Sequence, residues 1–382
     1  MSLANDIENS LNQATTFLES SFNASLGGFP HYAGKERITE YGGTSSGLAA
    51  LSLIGRITPP FKENHSNAKK WLISKQASDG SWCSSSFYCC EVTAGILAEF
   101  GECKKEDRLP DDVTGIACKY IKDCFNQSGY FMSVVNQTTA LHIYTTYIAV
   151  RALMAYDGLT NSMKESIISW IKSSKASDDN WGEEPNNNSG TVIHTAMALY
   201  ILYCCDYGVK KIKKEFKKQL SFIKKNISGC GKYYEHEEIT MPIGSDTYGK
   251  VYRVLHITLY SGPVLSRLFT ALNDKRNATV SIMSILRNQF SGGWGPTKER
   301  RTMWATQQAV SMLCEFKTTL LREIGLGKFT YRIPYFALKL SYSIMIAILV
   351  SVLYVFAPSL RANIVIMIIS AFVPWFYKSY IE

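Results

Sequence analysis

Gln76-Ala77-Ser78-Asp79-Gly80-Ser81-Trp82 sets a glutamine, a glycine and a tryptophan at close spacing, and Gln289-Phe290-Ser291-Gly292-Gly293-Trp294 sets them again. A looser version, a turn residue beside an aromatic one, recurs at Gly27-Gly28-Phe29, Gly129-Tyr130-Phe131, Asn180-Trp181-Gly182 and Gly231-Lys232-Tyr233. Counted from Gly28, the steps are 52, 49, about 51, about 51 and 62 residues. A period of this length is the mark of a repeat architecture. Glycine suits the positive-φ turn that stops a helix, and the aromatic residue after it is expected to fold back as a plug on the neighbouring unit.

Two helices fit between successive turns. One kind is rich in small and hydroxyl residues: Thr44–Ile54, Cys90–Phe100, Thr138–Tyr156, Thr191–Cys204, Val254–Leu272 and Met303–Cys314. The other is amphipathic and charged: Asn67–Gln76, Asp111–Phe125, Ser162–Lys172, Lys210–Lys225 and Ala278–Gln289, with an opening member at Asp6–Phe22. In Lys210–Lys225 the apolar Ile212, Phe216, Leu220 and Ile223 keep helical spacing, with lysines on the other face. Small residues allow close packing on both sides, so the first kind predicts an inner ring and the second an outer one. Six of each predict an all-α (α/α)6 toroid over residues 1–325. An open solenoid is the alternative.

The Gln–Gly–Trp segments resemble the repeats of squalene–hopene and oxidosqualene cyclases, and similar repeats occur in protein prenyltransferase β subunits. The resemblance covers about residues 6–320. It implies the toroid and, in many relatives, a central apolar cavity for isoprenoid chains. Class II cyclases place a proton-donating Asp at the start of an inner helix, and the best match is Glu91-Val92-Thr93-Ala94, preceded by Cys89 and Cys90. Glu91 therefore stands as the candidate catalytic acid, without the neighbouring acids that would activate it. Asp111-Asp112 opens an outer helix and reads as an N-terminal cap. Cyclases of this kind usually carry a second barrel, which this chain has no room for. The Asp–Cys–His zinc set of the prenyltransferases finds no match, so neither a metal nor another cofactor is expected.

Three histidines, His142, His194 and His256, fall at similar places in successive inner helices and could face one central space. With Cys90, Tyr144 and Trp304 they are the candidate lining of the lumen. Three histidines could also ligate zinc, although lining is the expected role. The run Lys210, Lys211, Lys213, Lys214, Lys217 and Lys218 is the strongest charge feature in a chain of net charge +9. It reads as a solvated helix face or as a contact with anionic lipid head groups. The aromatic interleaving of a single-strand groove is absent, so direct nucleic-acid binding is not expected. Asp178-Asp179-Asn180-Trp181-Gly182-Glu183-Glu184 reads as an acidic surface turn, and Tyr233–Gly249 as a lid over one barrel mouth.

Residues 335–356 read YFALKLSYSIMIAILVSVLYVF, with Lys339 the one charge. At ~1.5 Å per residue this reaches roughly 33 Å, enough for a bilayer core of ~30 Å. A turn at Ala357–Ala362 leads to a second apolar run, Asn363–Tyr377. A transmembrane helical hairpin over 335–382, joined by a linker over 326–334, is the expectation. Lys328, Arg332 and Lys378 flank it, which places the N-terminal barrel and the C-terminus in the cytoplasm, at the inner membrane if the source is bacterial. Met1–Asn12 is polar, so no secretory signal is expected. The ten cysteines form no CxxC pair, and free thiols are expected.

Two functions remain. One is a membrane-anchored sensor whose barrel binds a ligand, a protein or a second copy and acts through the hairpin, an arrangement that resembles bacterial antiviral effectors that perturb the membrane. The other is a membrane-bound isoprenoid cyclase or prenyltransferase-like enzyme with Glu91 as its acid. The missing acid motif, zinc set and second barrel favour the non-catalytic reading.

Overall fold

The structure, a computed structural model, describes residues 3–33, 40–83, 88–133, 142–185, 189–226, 234–242, 248–295, 298 and 300–319, without the side chains of 234–261. The chain divides into two compact units, one Ala4–Ile324 and the other Met1–Leu3 with Gly325–Glu382. The expected linker and hairpin, 326–382, lie outside the described residues. Among the described residues no helix is long and apolar enough to cross a membrane.

Helices of the larger unit come in outer–inner pairs. They are α1 (Leu3–Ser21) with α2 (Tyr41–Ile54), α3 (Lys62–Ser74) with α4 (Cys89–Gly101), α5 (Asp111–Asp123) with α6 (His142–Ala155), and α7 (Asn161–Ser173) with α8 (Val192–Cys204). The fifth outer position holds two short helices, α9 (Val209–Glu215) and α10 (Lys217–Asn226), before α11 (Ile257–Ala271). The last pair is α12 (Lys275–Arg287) and α13 (Met303–Thr318). Packing follows composition. Residues Gly43 to Ser52 of α2 are all buried, whereas α3 buries only Ala68 and Leu72. A helix without a polar face must be covered all round, and one with a single apolar stripe needs only one neighbour.

Each inner helix packs on the next, α2 on α4, α4 on α6, α6 on α8, α8 on α11 and α11 on α13. Then α13 returns to α2, so the ring is closed and the open solenoid is excluded. The outer layer closes as well. Ser10 of α1 exchanges hydrogen bonds with Gln289 at the end of α12, and Glu8 of α1 pairs with Lys317 of the inner α13.

The repeated turn does three jobs. Its glycine presses on the backbone of the next outer helix: a Cβ on Gly80 would lie 2.5 Å from the Ile116 carbonyl oxygen, and one on Gly292 would lie 2.2 Å from that of Gln13. Both glycines also have positive φ, +92° and +87°. Its glutamine ties the turn to that same neighbour, Gln76 Nε2 donating to Gly80 O and Val113 O, and Gln289 Nε2 to Gly292 O and Ser10 O. Its tryptophan turns inward instead. Trp82, Trp181 and Trp294 donate their indole N–H to Leu72, Ile171 and Ile285, carbonyls of their own unit's outer helix. The expected plug on the neighbouring unit is thus a plug within its own unit.

One partner of the turn escaped the sequence reading. A threonine one turn or so into each of five inner helices accepts the backbone N–H of the aromatic residue: Thr44 from Phe29, Thr93 from Trp82, Thr146 from Phe131, Thr195 from Trp181 and Thr306 from Trp294, at 3.0–3.2 Å. Burying that N–H without an acceptor would be costly, so the hydroxyl is part of the repeat.

Four features depart from expectation. The fold is not purely helical: β1 (Phe125–Asn126) and β2 (Tyr130–Phe131) form a small hairpin, and β3 (Tyr234–Pro242) pairs antiparallel with β4 (Tyr248–His256) in a stretch where no strand was expected. The inner helix therefore begins at Ile257 rather than Val254. The lysine-rich outer helix breaks at Phe216, whose φ and ψ of −108° and 33° leave the helical region. Cys83 and Cys89 form a disulfide at the start of α4, while Cys90, Cys103, Cys118, Cys124, Cys204, Cys205 and Cys314 are free.

Candidate functional site

Inner helix α4 carries the chemistry. Glu91, Gly95, Glu99 and Glu102 recur at steps of four, four and three, which in a helix of 3.6 residues per turn keeps them on one face. Glu91, Val92, Gly95, Ile96 and Glu99 line a cavity of about 360 Å³, with Ser46 of α2, Ile148 of α6 and Ala305 of α13 among the facing walls. Its remaining lining includes His31, Tyr32, Glu40, Tyr144, Thr302 and Trp304. A Cβ added to Gly95 would meet nothing within 4 Å, so this glycine leaves space in the cavity rather than relieving a clash.

Glu91 is buried at the first turn of α4. Its Oε1 accepts from Ser133 Oγ and Thr145 Oγ1, both at 2.5 Å, and its Oε2 is buried without a hydrogen-bond partner. Burial pushes its carboxyl up to about 7, with the two hydroxyls pulling it back and the nearby Glu183 adding to the rise. Glu99 lies two turns deeper, with Oε2 taking Ser45 Oγ at 2.6 Å and Oε1 taking Ser46 Oγ at 2.7 Å. Burial again raises it to about 7, opposed by the two serines.

Below the cavity an ion network ties the ring together. Glu102 pairs with Arg151 of α6 and, at 2.8 Å, with Arg267 of α11. Ser311 of α13 donates to its Oε2 at 2.6 Å, and Arg267 donates to Gln308 at 2.8 Å. Burial alone would raise Glu102, but Arg267 and Arg151 outweigh it and hold the carboxyl down at about 2. Both arginines are buried and committed to this network.

A second buried acid stands beside the N-terminus of α6. Glu183 is fully buried, accepts Tyr144 N–H at 2.9 Å and lies 2.6 Å from His194 Nε2. Thr191 Oγ1 accepts His194 N–H at 3.1 Å and sits 2.8 Å from its Nδ1. Thr191 and Glu183 thus hold the two ring nitrogens of His194 from opposite ends. This acid belongs to the stretch read as a surface turn, which is corrected by its complete burial. Asp178 in the same turn caps the backbone, accepting from Asn180 and Gly190.

The proposed lining residues separate in space. Glu91, Tyr144 and Trp304 reach the cavity. Cys90 does not: its thiol hydrogen-bonds to Cys124 at the end of α5, between the rings, because Cys90 is on the opposite side of α4 from Gly95 and Glu99. His142 opens α6 with its ring 5.1 Å from Tyr130 and its buried Nδ1 unpartnered. His194 is locked by Thr191 and Glu183. His256 ends β4, opposite Tyr234, rather than sitting within an inner helix, and its side chain lies outside the description. Among the described residues no group of three or more His, Cys, Asp or Glu is placed to hold a metal. Lys210, Lys211, Lys213, Lys214, Lys217 and Lys218 are all exposed on α9 and α10.

The two raised carboxyls make stability depend on pH. A carboxyl lifted from 4.5 to about 7 binds more protons folded than unfolded, so its contribution is fully present below about pH 4.5 and is lost as pH rises through 7. Between pH 5 and 8, urea unfolding is expected to show a loss of up to about 3 kcal/mol per group. The double variant Glu91→Gln, Glu99→Gln is expected to flatten this slope. A wild-type slope that survives the substitutions would show that other groups set it.

The model of the prenyltransferase alpha-alpha toroid domain matches residues 1–84 and 81–237. No curated protein matches the chain. Among solved structures, a variant of the type II terpene cyclase MstE from Scytonema, in complex with its substrate geranylgeranyl dihydroxybenzoate, is similar at a TM-score of 0.54 and 12% identity, covering 82% of this chain and 98% of that one. An inactive variant of the α-1,6-mannanase GH76A of Salegentibacter sp. HEL1_6, in complex with α-1,6-mannotriose, is similar at 0.51 and 11%, covering 82% and 99%. One of these is a terpene cyclase and the other a mannanase, so the likeness gives the toroid and leaves the chemistry to the residues of this chain.

Proposed function

This chain belongs to the prenyltransferase alpha-alpha toroid family, and from that premise we propose that its barrel is a chamber for one small amphipathic ligand, used for sensing rather than for cyclisation. The observation that carries the reading is Glu91, a buried carboxyl on the cavity wall with one oxygen left unpaired. Val92, Ile96 and Ile148 offer the apolar part of the wall. Protonating an alkene requires an unusually strong acid, whereas burial makes Glu91 weaker than a free carboxyl. The network around Glu102 welds α4, α6, α11 and α13 beneath the cavity, which suits a chamber that receives and holds. In this reading the apolar runs of 335–382 anchor the protein as a transmembrane hairpin, with the barrel in the cytoplasm and the exposed α9–α10 lysines facing anionic lipid. Ligand occupancy would act through that hairpin, as in membrane-perturbing defence effectors.

A second reading, a membrane-bound enzyme with Glu91 as general acid, is favoured by one observation: a carboxyl titrating near 7 is well matched to proton transfer at neutral pH. Native mass spectrometry of the detergent-extracted full chain separates the two. The sensing reading expects one small molecule per wild-type chain, recovered chemically unchanged. It also expects that molecule to be absent from Gly95→Leu, where the added side chain fills the cavity. A product of different mass or structure formed by the wild type alone would establish the enzyme.

A further inference from the structure

We propose that the ligand of this chamber carries a protonated amine, which docks on Glu91 and Glu99 while its apolar body lies against α4 and α6. The inference rests on the chamber reading above and adds the ligand's chemical class. The chain is strongly basic, with 41 Lys and Arg against 32 Asp and Glu. Yet among the described residues the cavity's lining includes Glu40, Glu91 and Glu99 and neither a lysine nor an arginine. The nearest buried cations, Arg151 and Arg267, are spent on Glu102 beneath it. Among the described lining residues an anion entering this space would meet carboxyls and no lysine or arginine.

Acidic residues alone do not define a site, and Glu91 supplies the independent observation. Its Oε2 is an acceptor buried without a donor, in a side chain whose other oxygen is already satisfied twice. Such an orphan is costly unless a ligand brings the missing N–H. At the start of α6 the Glu183 carboxyl already accepts the Tyr144 N–H, the place where a ligand carboxylate would otherwise be favoured. Tyr32, Tyr144 and Trp304 add aromatic surface on the lining, the kind of face an ammonium group favours.

An ammonium held against Glu91 favours its ionised form. The carboxyl proton then leaves to solvent as the ion pair forms, and no bond to carbon changes. Beside Glu91 the other titratable groups are Cys90, which faces Cys124 toward α5, and Glu183 with its partner His194, while His142 on α6 faces Glu183 and Glu184. Around Glu99 they are Glu102, Arg151 and Cys103. His31 and Glu40, 3.8 Å apart, also line the cavity. On the cavity wall burial pushes Glu91 and Glu99 up to about 7 and pulls His31 below its ordinary value.

The test uses octylammonium, octanol and octanoate, titrated by calorimetry into the full chain in phosphatidylcholine nanodiscs, with Gly95→Leu as the blank for partitioning. At pH 8 octylammonium is expected to bind at least tenfold more tightly than octanol, with octanoate weakest. Its advantage should shrink toward pH 6. Near pH 7 its heat should vary with the buffer's ionisation enthalpy, the signature of a released proton. Glu91→Gln should reduce both the preference and the proton release, while its far-UV spectrum and urea midpoint report that it folds. Equal or stronger binding of octanol or octanoate overturns the amine assignment but leaves the chamber standing. Three ligands indistinguishable from the Gly95→Leu blank also overturn the assignment, and native mass spectrometry then judges the chamber by itself.

Discussion

Glu102→Ala is expected to destabilise the barrel by about 3 kcal/mol, the lower end of the range for leaving buried charges unpaired. The substitution would strand Arg151 and Arg267, which are 7% and 3% exposed. Both would lose their carboxylate, and the Ser311 hydroxyl and the Gln307 amide would lose an acceptor. Glu102 itself keeps 24% of its side chain exposed, so water screens part of the pairing and the upper end of the range does not apply. The wild-type contribution is present above about pH 4.5 and fades as pH falls toward 2, opposite in sign to that of Glu91 and Glu99. Urea unfolding at pH 7 measures the loss. The apolar triple variant Glu102→Leu, Arg151→Met, Arg267→Met should lose less than Glu102→Ala, since it removes the charges together. A triple variant that loses more would show that the network stabilises the ring outright instead of satisfying charges already buried.

Trp181→Ala is expected to cost about 3–5 kcal/mol, the usual range for deleting a buried aromatic side chain. Trp181 is completely buried and packs against Phe216 with ring centroids 5.6 Å apart. It also satisfies the carbonyl of Ile171 through its indole N–H at 2.7 Å. Trp181→Phe keeps much of the volume and loses that bond, so its cost should be nearer 1 kcal/mol. If alanine and phenylalanine cost the same, hydrogen bonding rather than packing would be the larger part of what the plug contributes. Denaturant midpoints of the two variants, taken at constant slope, decide this.

Much of the ring was legible because its signals are periodic. The small-residue and charged segments placed five of the six outer–inner pairs within a few residues, and Gln76 and Gln289 marked turns that do bind their neighbours. Glu91 was found because it opens an inner helix at a recognisable Glu-Val-Thr-Ala. Glu99 and Glu102 carry the same stripe further down α4, and their signal was available: charged residues at helical spacing on a helix that is otherwise apolar. Arg151 and Arg267 gave a similar sign, a basic residue within each of two inner helices. Glu183 was hidden by its neighbours. In a turn with three other acids, local composition says solvent, and only the tertiary placement of Tyr144 N–H and His194 shows otherwise. The β3–β4 hairpin was missed because the segment was weighed by its length and its strand pattern went unread. The separation of the histidines was missed because similar positions in a repeat were taken to share one face, and the start of α11 at Ile257 removes His256 from that pattern.

The closure of the ring underlies the cavity, the ion network and the ligand reading, and a zero-length cross-link tests it most directly. Glu8 and Lys317 are 309 positions apart in sequence and in direct contact across the seam between α1 and α13. Carbodiimide treatment of the dilute full chain, followed by peptide mass spectrometry of the monomer band, is expected to yield an amide between these two side chains. Cross-links confined to neighbouring units of the sequence, with none joining α1 to α13, would contradict a closed barrel.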